Sequence, residues 1–315
     1  MQRHFRLGGV AHKPTCLRGQ GLIEYVLIAA VIGLVVVFAG PQVSGAIRNQ
    51  FNQVTSMVDA GTDGTVVGGE SGGGSAGAES AAVQAAVAKD AKNWTLDDQK
   101  AVAEDIAAKG ESSPAYAKAK ATMEMGTKFS VKLTNGRWMT YRIVGINHDG
   151  LADGSGKAGL TFEATNDVMG MQRMNATSAN AGGWDKSELR GRLNSGDLWA
   201  LLPAEIQSKT RAVTKMTDNK DGGSAGTPSA TTDKVFLVSM TEIYGSLQSD
   251  GSQYEYFKFK NAPEWPEFGG PMSFDYWTRS ASPSDSTSFR NVRAEGSWDD
   301  VDAVSTEYVF PAWCF

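Results

Sequence analysis

Glu24 is the first residue whose position asks for a chemical explanation. With Tyr25 it stands at the head of a stretch, Leu22 to Gly40, that is otherwise apolar. In helical form that stretch would span roughly 28 Å, nearly the hydrocarbon thickness of a bilayer. A carboxylate held there is costly unless a partner or the interface meets it. A second group lies in Ser280 to Asp302, where Asn291, Arg293, Glu295, Ser297, Trp298, Asp299, Asp300 and Asp302 crowd small polar and charged side chains around one tryptophan. That is the adaptable composition of a ligand-contacting loop, and equally that of a solvated loop on the face of a sheet. A third group, Asn147, Asp149 and Asp153, offers oxygen atoms to calcium. Its spacing departs from a calcium-binding loop and its glycines favour a turn, so no metal is expected.

Charge and composition narrow the function classes. The chain carries 30 Lys and Arg against 35 Asp and Glu, a formal charge of −5. Arg3, Arg6, Lys13 and Arg18 all precede Gly19 with no acid among them, so a chain starting after Gly19 keeps 26 bases against 35 acids, or −9. Nucleic acid is not an expected partner, because a phosphate backbone calls for a surplus of Lys and Arg. Such a chain retains His148 of the three histidines and Cys314 of the two cysteines. An intrachain disulfide is then excluded, and a His-rich zinc site or a His-based triad is hard to assemble. No catalytic residue and no cofactor is expected, and the chain is not read as an enzyme.

The elements around these residues fall into a sequence of segments. Beyond Pro41, Val43, Ile47, Phe51, Val54 and Val58 form a one-sided helical stripe, which predicts a helix continuing past a kink to residue 59. Residues 60–77 have the Gly and Ser composition of a flexible tether. Residues 78–126 read as alanine-rich helices with thin apolar faces, one starting at a Thr95-Leu-Asp-Asp98 cap and ending at Gly110, and together they predict a stalk. At Lys128 the pattern changes to alternation, with Phe129, Val131 and Leu133 followed by an Asn135-Gly136 turn and a return strand from Trp138 to Ile146. Helical patterning returns at Lys186 to Leu193 and Asp197 to Gln207, and buried strands are predicted at Val235 to Val238 and Tyr276 to Thr278. The fold class of residues 127–315 is therefore α+β. Trp184 and Trp277 are expected in its core, and Arg190 and Arg279 are expected to pair with acids such as Asp185 or Glu242.

The run Gly19, Gln20, Gly21, Leu22, Ile23, Glu24, Tyr25 and the apolar stretch behind it resemble the Flp class of type IV pilins built by tight-adherence systems. The resemblance covers about forty residues and implies a leader at 1–19, cleavage between Gly19 and Gln20 by a prepilin peptidase, and a pilin helix with a membrane-spanning segment at 20–59. Glu24 and Tyr25 would then serve assembly, the freed amine of one subunit neutralising the Glu24 carboxylate of its neighbour. Two plainer readings fit the same stretch: a secretory signal peptide ending at Val37-Phe38-Ala39, and a simple membrane anchor. Pilins of that class end near residue 59, so the rest of the chain departs from the pattern.

Within the second half, Trp184 to Arg190, Leu193-Asn194, Leu201-Leu202-Pro203, Val235 to Ser239, Tyr276 to Ser280 and Pro311-Ala312 resemble bacterial surface domains similar to the C-type-lectin fold in its formylglycine-generating-enzyme branch. That implies a lectin-like α+β head presenting variable loops, in some members the targets of diversity-generating retroelements. The activity of that branch is not implied, since its chemistry depends on cysteine. The expectation is thus a pilus subunit at the cell surface, membrane-inserted before assembly in the inner or cytoplasmic membrane. Its partners would be other pilin subunits, the prepilin peptidase and an extracellular ligand on a host protein, a glycan or another cell. The alternative is a membrane-anchored or secreted surface protein with an enzymatic or structural head.

Overall fold

A computed structural model describes residues 80–219, 227–248, 250–260 and 275–315. The chain divides into two compact units, 1–75 and 76–315, and every described residue belongs to the second. The apolar stretch, Glu24, Tyr25, the cleavage position and the glycine-rich segment lie outside the described residues.

Three helices come first: α1 (Ala81–Ala88), α2 (Leu96–Lys109) and α3 (Tyr116–Glu124). The start of α2 is set by a reciprocal cap, in which the Thr95 side chain accepts from the Asp98 N–H and the Asp98 carboxylate accepts from the Thr95 N–H. These helices do not stand apart as a stalk. Val102, Ala103, Ile106, Ala119 and Met123 are buried in one core with the strands that follow. Trp94 stacks on Phe129 with ring centroids 6.5 Å apart, and Tyr141 of the sheet donates to Gln99 of α2 at 3.1 Å.

Two five-stranded sheets carry the rest. The first has the order β1 (Phe129–Lys132), β2 (Trp138–Ile146), β3 (Leu160–Ala164), β12 (Ala312–Cys314), β7 (Val235–Phe236), antiparallel throughout. The second has the order β10 (Trp298–Asp302), β9 (Ser288–Val292), β8 (Tyr276–Ala281), β11 (Glu307–Tyr308), β4 (Met171–Gln172). Its β8–β11 pair is parallel. A separate ribbon pairs β5 (Val213–Thr217) with β6 (Ser229–Asp233). Between β4 and β5 run four short helices, α4 (Gly183–Lys186), α5 (Glu188–Ser195), α6 (Asp197–Leu201) and α7 (Ala204–Lys209). The helix predicted over Asp197 to Gln207 is split because Pro203 biases Leu202 away from helical dihedrals, and Leu202 is indeed extended at ψ 136°. Two more helices, α8 (Met240–Tyr244) and α9 (Glu255–Phe259), precede β8.

The expected architecture of a long apolar helix, a stalk and a lectin-like head is corrected by these findings. Among the described residues no helix is long and apolar enough to cross a membrane, and the longest, α2, has 14 residues. The helices assigned to a stalk are a layer of the same mixed α and β unit, because their thin apolar faces are buried against one another and against β2 and β3. Trp184 and Trp277 are core residues, fully enclosed, with indole N–H groups donating to Asp233 and to the Gln172 carbonyl.

Candidate functional site

The residues proposed to contact a ligand are brought together on one hairpin, β9–β10, at the edge of the second sheet. Asn291 sits on β9, Arg293, Glu295 and Ser297 in the turn, and Trp298, Asp299, Asp300 and Asp302 on β10. Asn291 is buried, and its amide oxygen accepts the Asp299 N–H at 3.1 Å, so it braces the hairpin. Trp298 keeps 40% of its surface exposed, with the Arg290 guanidinium 4.2 Å from its ring centre. Arg290 and Ser284 donate to Asp300, Ser178 donates to Asp302, Arg293 pairs with Asp299, and Ser297 donates to Glu295 at 2.6 Å. Each acid of the hairpin therefore already has a protein donor. Arg290 and Asp300 stand directly opposite each other across the two strands, a pairing that stabilises a sheet, and charged side chains on an edge strand discourage pairing with another chain.

A buried polar network lies behind β5 and β8. Arg279 of β8 is fully enclosed and donates to Glu242, to the Thr217 hydroxyl and to the carbonyls of Leu237 and Asp250. Lys215 of β5 bridges Glu242 and Asp149, each at 2.5 Å, and also donates to the Tyr254 hydroxyl at 3.0 Å, while its ammonium lies 4.2 Å from the centre of the Phe236 ring. Burial pushes the Asp149 carboxyl up, but the Lys215 ammonium and the neighbouring His148 outweigh it and hold the acid well below its ordinary range. Glu242 is lowered in the same way, Arg279 and Lys215 overcoming its burial. Burial, with Asp149 beside it, drives the Cys314 thiol far up. The expected pairings are present: Arg279 with Glu242, and Arg190 with Asp185 at 3.3 Å and Asp233 at 2.6 Å.

One side of this network opens into a cleft of about 580 Å³, lined in part by His148, Lys215, Met216, Glu242, Gly251 and Ser252. His148 Nδ1 lies 3.2 Å from Glu255 Oε1 and its Nε2 lies 3.2 Å from Ser252 Oγ. The ring rests on Tyr254 with centroids 4.2 Å apart. This packing needs a glycine at 145, where a Cβ would stand 2.7 Å from the Tyr254 ring. Asn147, next to His148, is the one non-glycine with positive φ among the described residues, at 50°. Desolvation lowers the His148 pKa, yet the bond to Glu255 and the charges of Asp149, Glu255 and Glu242 prevail and raise it.

Sequence reasoning did not join these three residues. Ser252 and Glu255 follow His148 by more than a hundred positions, and no local motif marks them. The calcium candidates do not converge either: Asp149 is committed to Lys215, and Asp153 accepts from Ser155 and Arg211 in an exposed turn. Among the described residues no group of three or more His, Cys, Asp or Glu is placed to hold a metal ion.

The described residues thus define a mixed α and β unit with a polar hairpin at one sheet edge and a cleft over a buried ion network. Residues 159–314 match the family model described as a domain of unknown function (DUF6273). The match runs from the start of β3 to the end of β12, so it includes the hairpin, Lys215, Glu242, Ser252, Glu255 and Arg279 but not α1 to α3, His148 or Asp149. No curated protein and no solved structure matches the chain.

Proposed function

We propose that this chain is a displayed surface subunit whose β9–β10 hairpin contacts an extracellular ligand. The observation that carries the proposal is Trp298: a large aromatic exposed on an edge strand, clamped by Arg290 and fringed by acids whose directions are already fixed. Preorganised side chains lose little freedom on binding, and a half-exposed tryptophan among polar groups is a common centre of a binding surface. The flat indole with carboxylates beside it suits a sugar ring, which offers C–H groups to the aromatic face and hydroxyls to the acids.

Display rests on the N-terminal residues, where the resemblance of Gly19 to Tyr25 to Flp pilins supports cleavage after Gly19 and assembly through Glu24 with other subunits. Passage through the membrane before assembly and a pilus location follow from the same resemblance. If the hairpin belongs to a retroelement-diversified region, the positions that vary between copies are Asn291, Arg293, Glu295, Ser297, Trp298, Asp299, Asp300 and Asp302. The test is a glycan array probed with the full-length chain. Bound glycans whose signal falls at least tenfold in Trp298→Ala support the reading. Binding that ignores that substitution, or no binding to any glycan, opposes it.

A further inference from the structure

We propose that Ser252, His148 and Glu255 form a hydrolytic triad that cleaves small carboxylic esters in the cleft beside Lys215, an activity distinct from ligand contact at the hairpin.

The geometry has the order such chemistry requires. A carboxylate accepts hydrogen bonds, so Glu255 Oε1, 3.2 Å away, selects the tautomer in which His148 carries its proton on Nδ1. That leaves the Nε2 lone pair facing Ser252 Oγ at 3.2 Å, within reach of the hydroxyl proton. Ser252 is exposed at the mouth of the cleft, while the His148 side chain is only 9% exposed and held flat against Tyr254. A nucleophile open to substrate and a base shielded from water are what acyl transfer needs.

A positive-φ residue precedes each of the two groups. Gly251, just before the serine, has φ 123°, and a Cβ there would stand 3.1 Å from Glu242 Cγ. Asn147, just before the histidine, takes the left-handed conformation noted above and is tied by its amide to the Ile106 carbonyl at 3.1 Å.

The reaction balances with water as the only co-reactant. Ser252 Oγ attacks the ester carbonyl carbon and passes its proton to His148 Nε2. The bond from carbon to the alcohol oxygen then breaks, and Nε2–H donates that proton to the departing alkoxide. Water attacks the acyl-serine, losing a proton to Nε2, which returns it to Ser252 Oγ as the carboxylic acid leaves. Glu255 takes no proton in these steps and acts as a positioning residue. The cleft has room for a small acyl group beside Met216 and Gly251.

The experiment is intact-mass kinetics of the full-length chain with a small fluorophosphonate, followed by peptide mapping and p-nitrophenyl acetate turnover. A single adduct on Ser252 is expected, absent in Ser252→Ala and at least 100-fold slower in His148→Gln. Glu255→Gln should slow acylation about tenfold with little change in KM, a split that a merely structural role would not give. Melting curves of each variant show that the fold is kept, and Ser252→Cys should restore labelling by an iodoacetamide probe at a rate that depends on His148. No adduct on Ser252, or a labelling rate in the folded His148→Gln chain equal to the parent, would overturn the proposal.

Discussion

Arg279→Met probes the buried ion network that the two sheets and the β5–β6 ribbon share. The guanidinium is fully enclosed and satisfies both Glu242 oxygens, the Thr217 hydroxyl and the Leu237 and Asp250 carbonyls. Methionine fills most of the volume but donates nothing, so Glu242 keeps Lys215 and the Ser239 N–H, and the Leu237, Met216 and Asp250 carbonyls lose the guanidinium as donor. Breaking a buried pair by removing one partner costs about 3–5 kcal/mol, and an orphaned buried carbonyl adds about 1–3 kcal/mol where water cannot reach it. These terms overlap, and a total of about 5 kcal/mol is expected. For a unit of residues 76–315 that is a fall in Tm of about 10–20 °C. The assay is urea and thermal unfolding followed by near-ultraviolet circular dichroism, with m compared between variants. The double variant Arg279→Met/Glu242→Leu removes both charges and should recover about half the loss, since Lys215 then still answers Asp149. A loss below about 1 kcal/mol for Arg279→Met, or a double variant worse than the sum of the two single ones, would refute the assignment of this network as a paired buried cluster.

Other outcomes follow from the same geometry. Cys314, enclosed beside Asp149 with its thiol pushed far up, should resist iodoacetamide at pH 8 in the folded chain and alkylate fully in urea, as peptide mapping can show. Glu307 is pushed up to about 7 by burial and by Asp275. The folded state then holds a proton that the unfolded state has released, so stability should decline as pH rises from about 4.5 to 7. Glu307→Gln should flatten that decline in melting curves taken across the range. Fluorophosphonate labelling of Ser252 should rise with pH through a midpoint above the ordinary histidine value. His148 must lose its proton to act as a base, while Glu255, Asp149 and Glu242 favour the charged ring against its burial, with Lys215 and Tyr254 packed on the same side. Gly145→Ala should cost about 1–3 kcal/mol, because its Cβ meets the Tyr254 ring.

Much of the local structure was legible from residue type. The Thr95 cap, the Gly110 stop, the strand at Phe129 and the burial of Trp184 and Trp277 follow from capping chemistry, alternation and aromatic bulk. The pairing of Arg190 and Arg279 with acids was legible as a need, since a guanidinium in an apolar sequence context has to find carboxylates. The tertiary assignments were harder. Thin alanine faces on α1 to α3 resemble a solvated stalk, and only the strands they cover show that they belong to the core. The cleft was illegible because His148, Lys215 and Ser252 come from the loop after β2, from β5 and from the segment before α9, and a single histidine in sequence says nothing of what stands on either side of its ring. Composition singled out the stretch from Ser280 to Asp302 as a polar loop, yet it did not show a hairpin, that Asn291 braces it from within, or that Arg290 covers Trp298.

The central claim is display of this unit outside the cell by a processed N-terminus. N-terminal sequencing of the chain recovered from filaments sheared off cells tests it most directly. The account predicts a first residue of Gln20 in that fraction. A chain starting at Gly40 or Met1, or one missing from the sheared material and present only within cells, would contradict it.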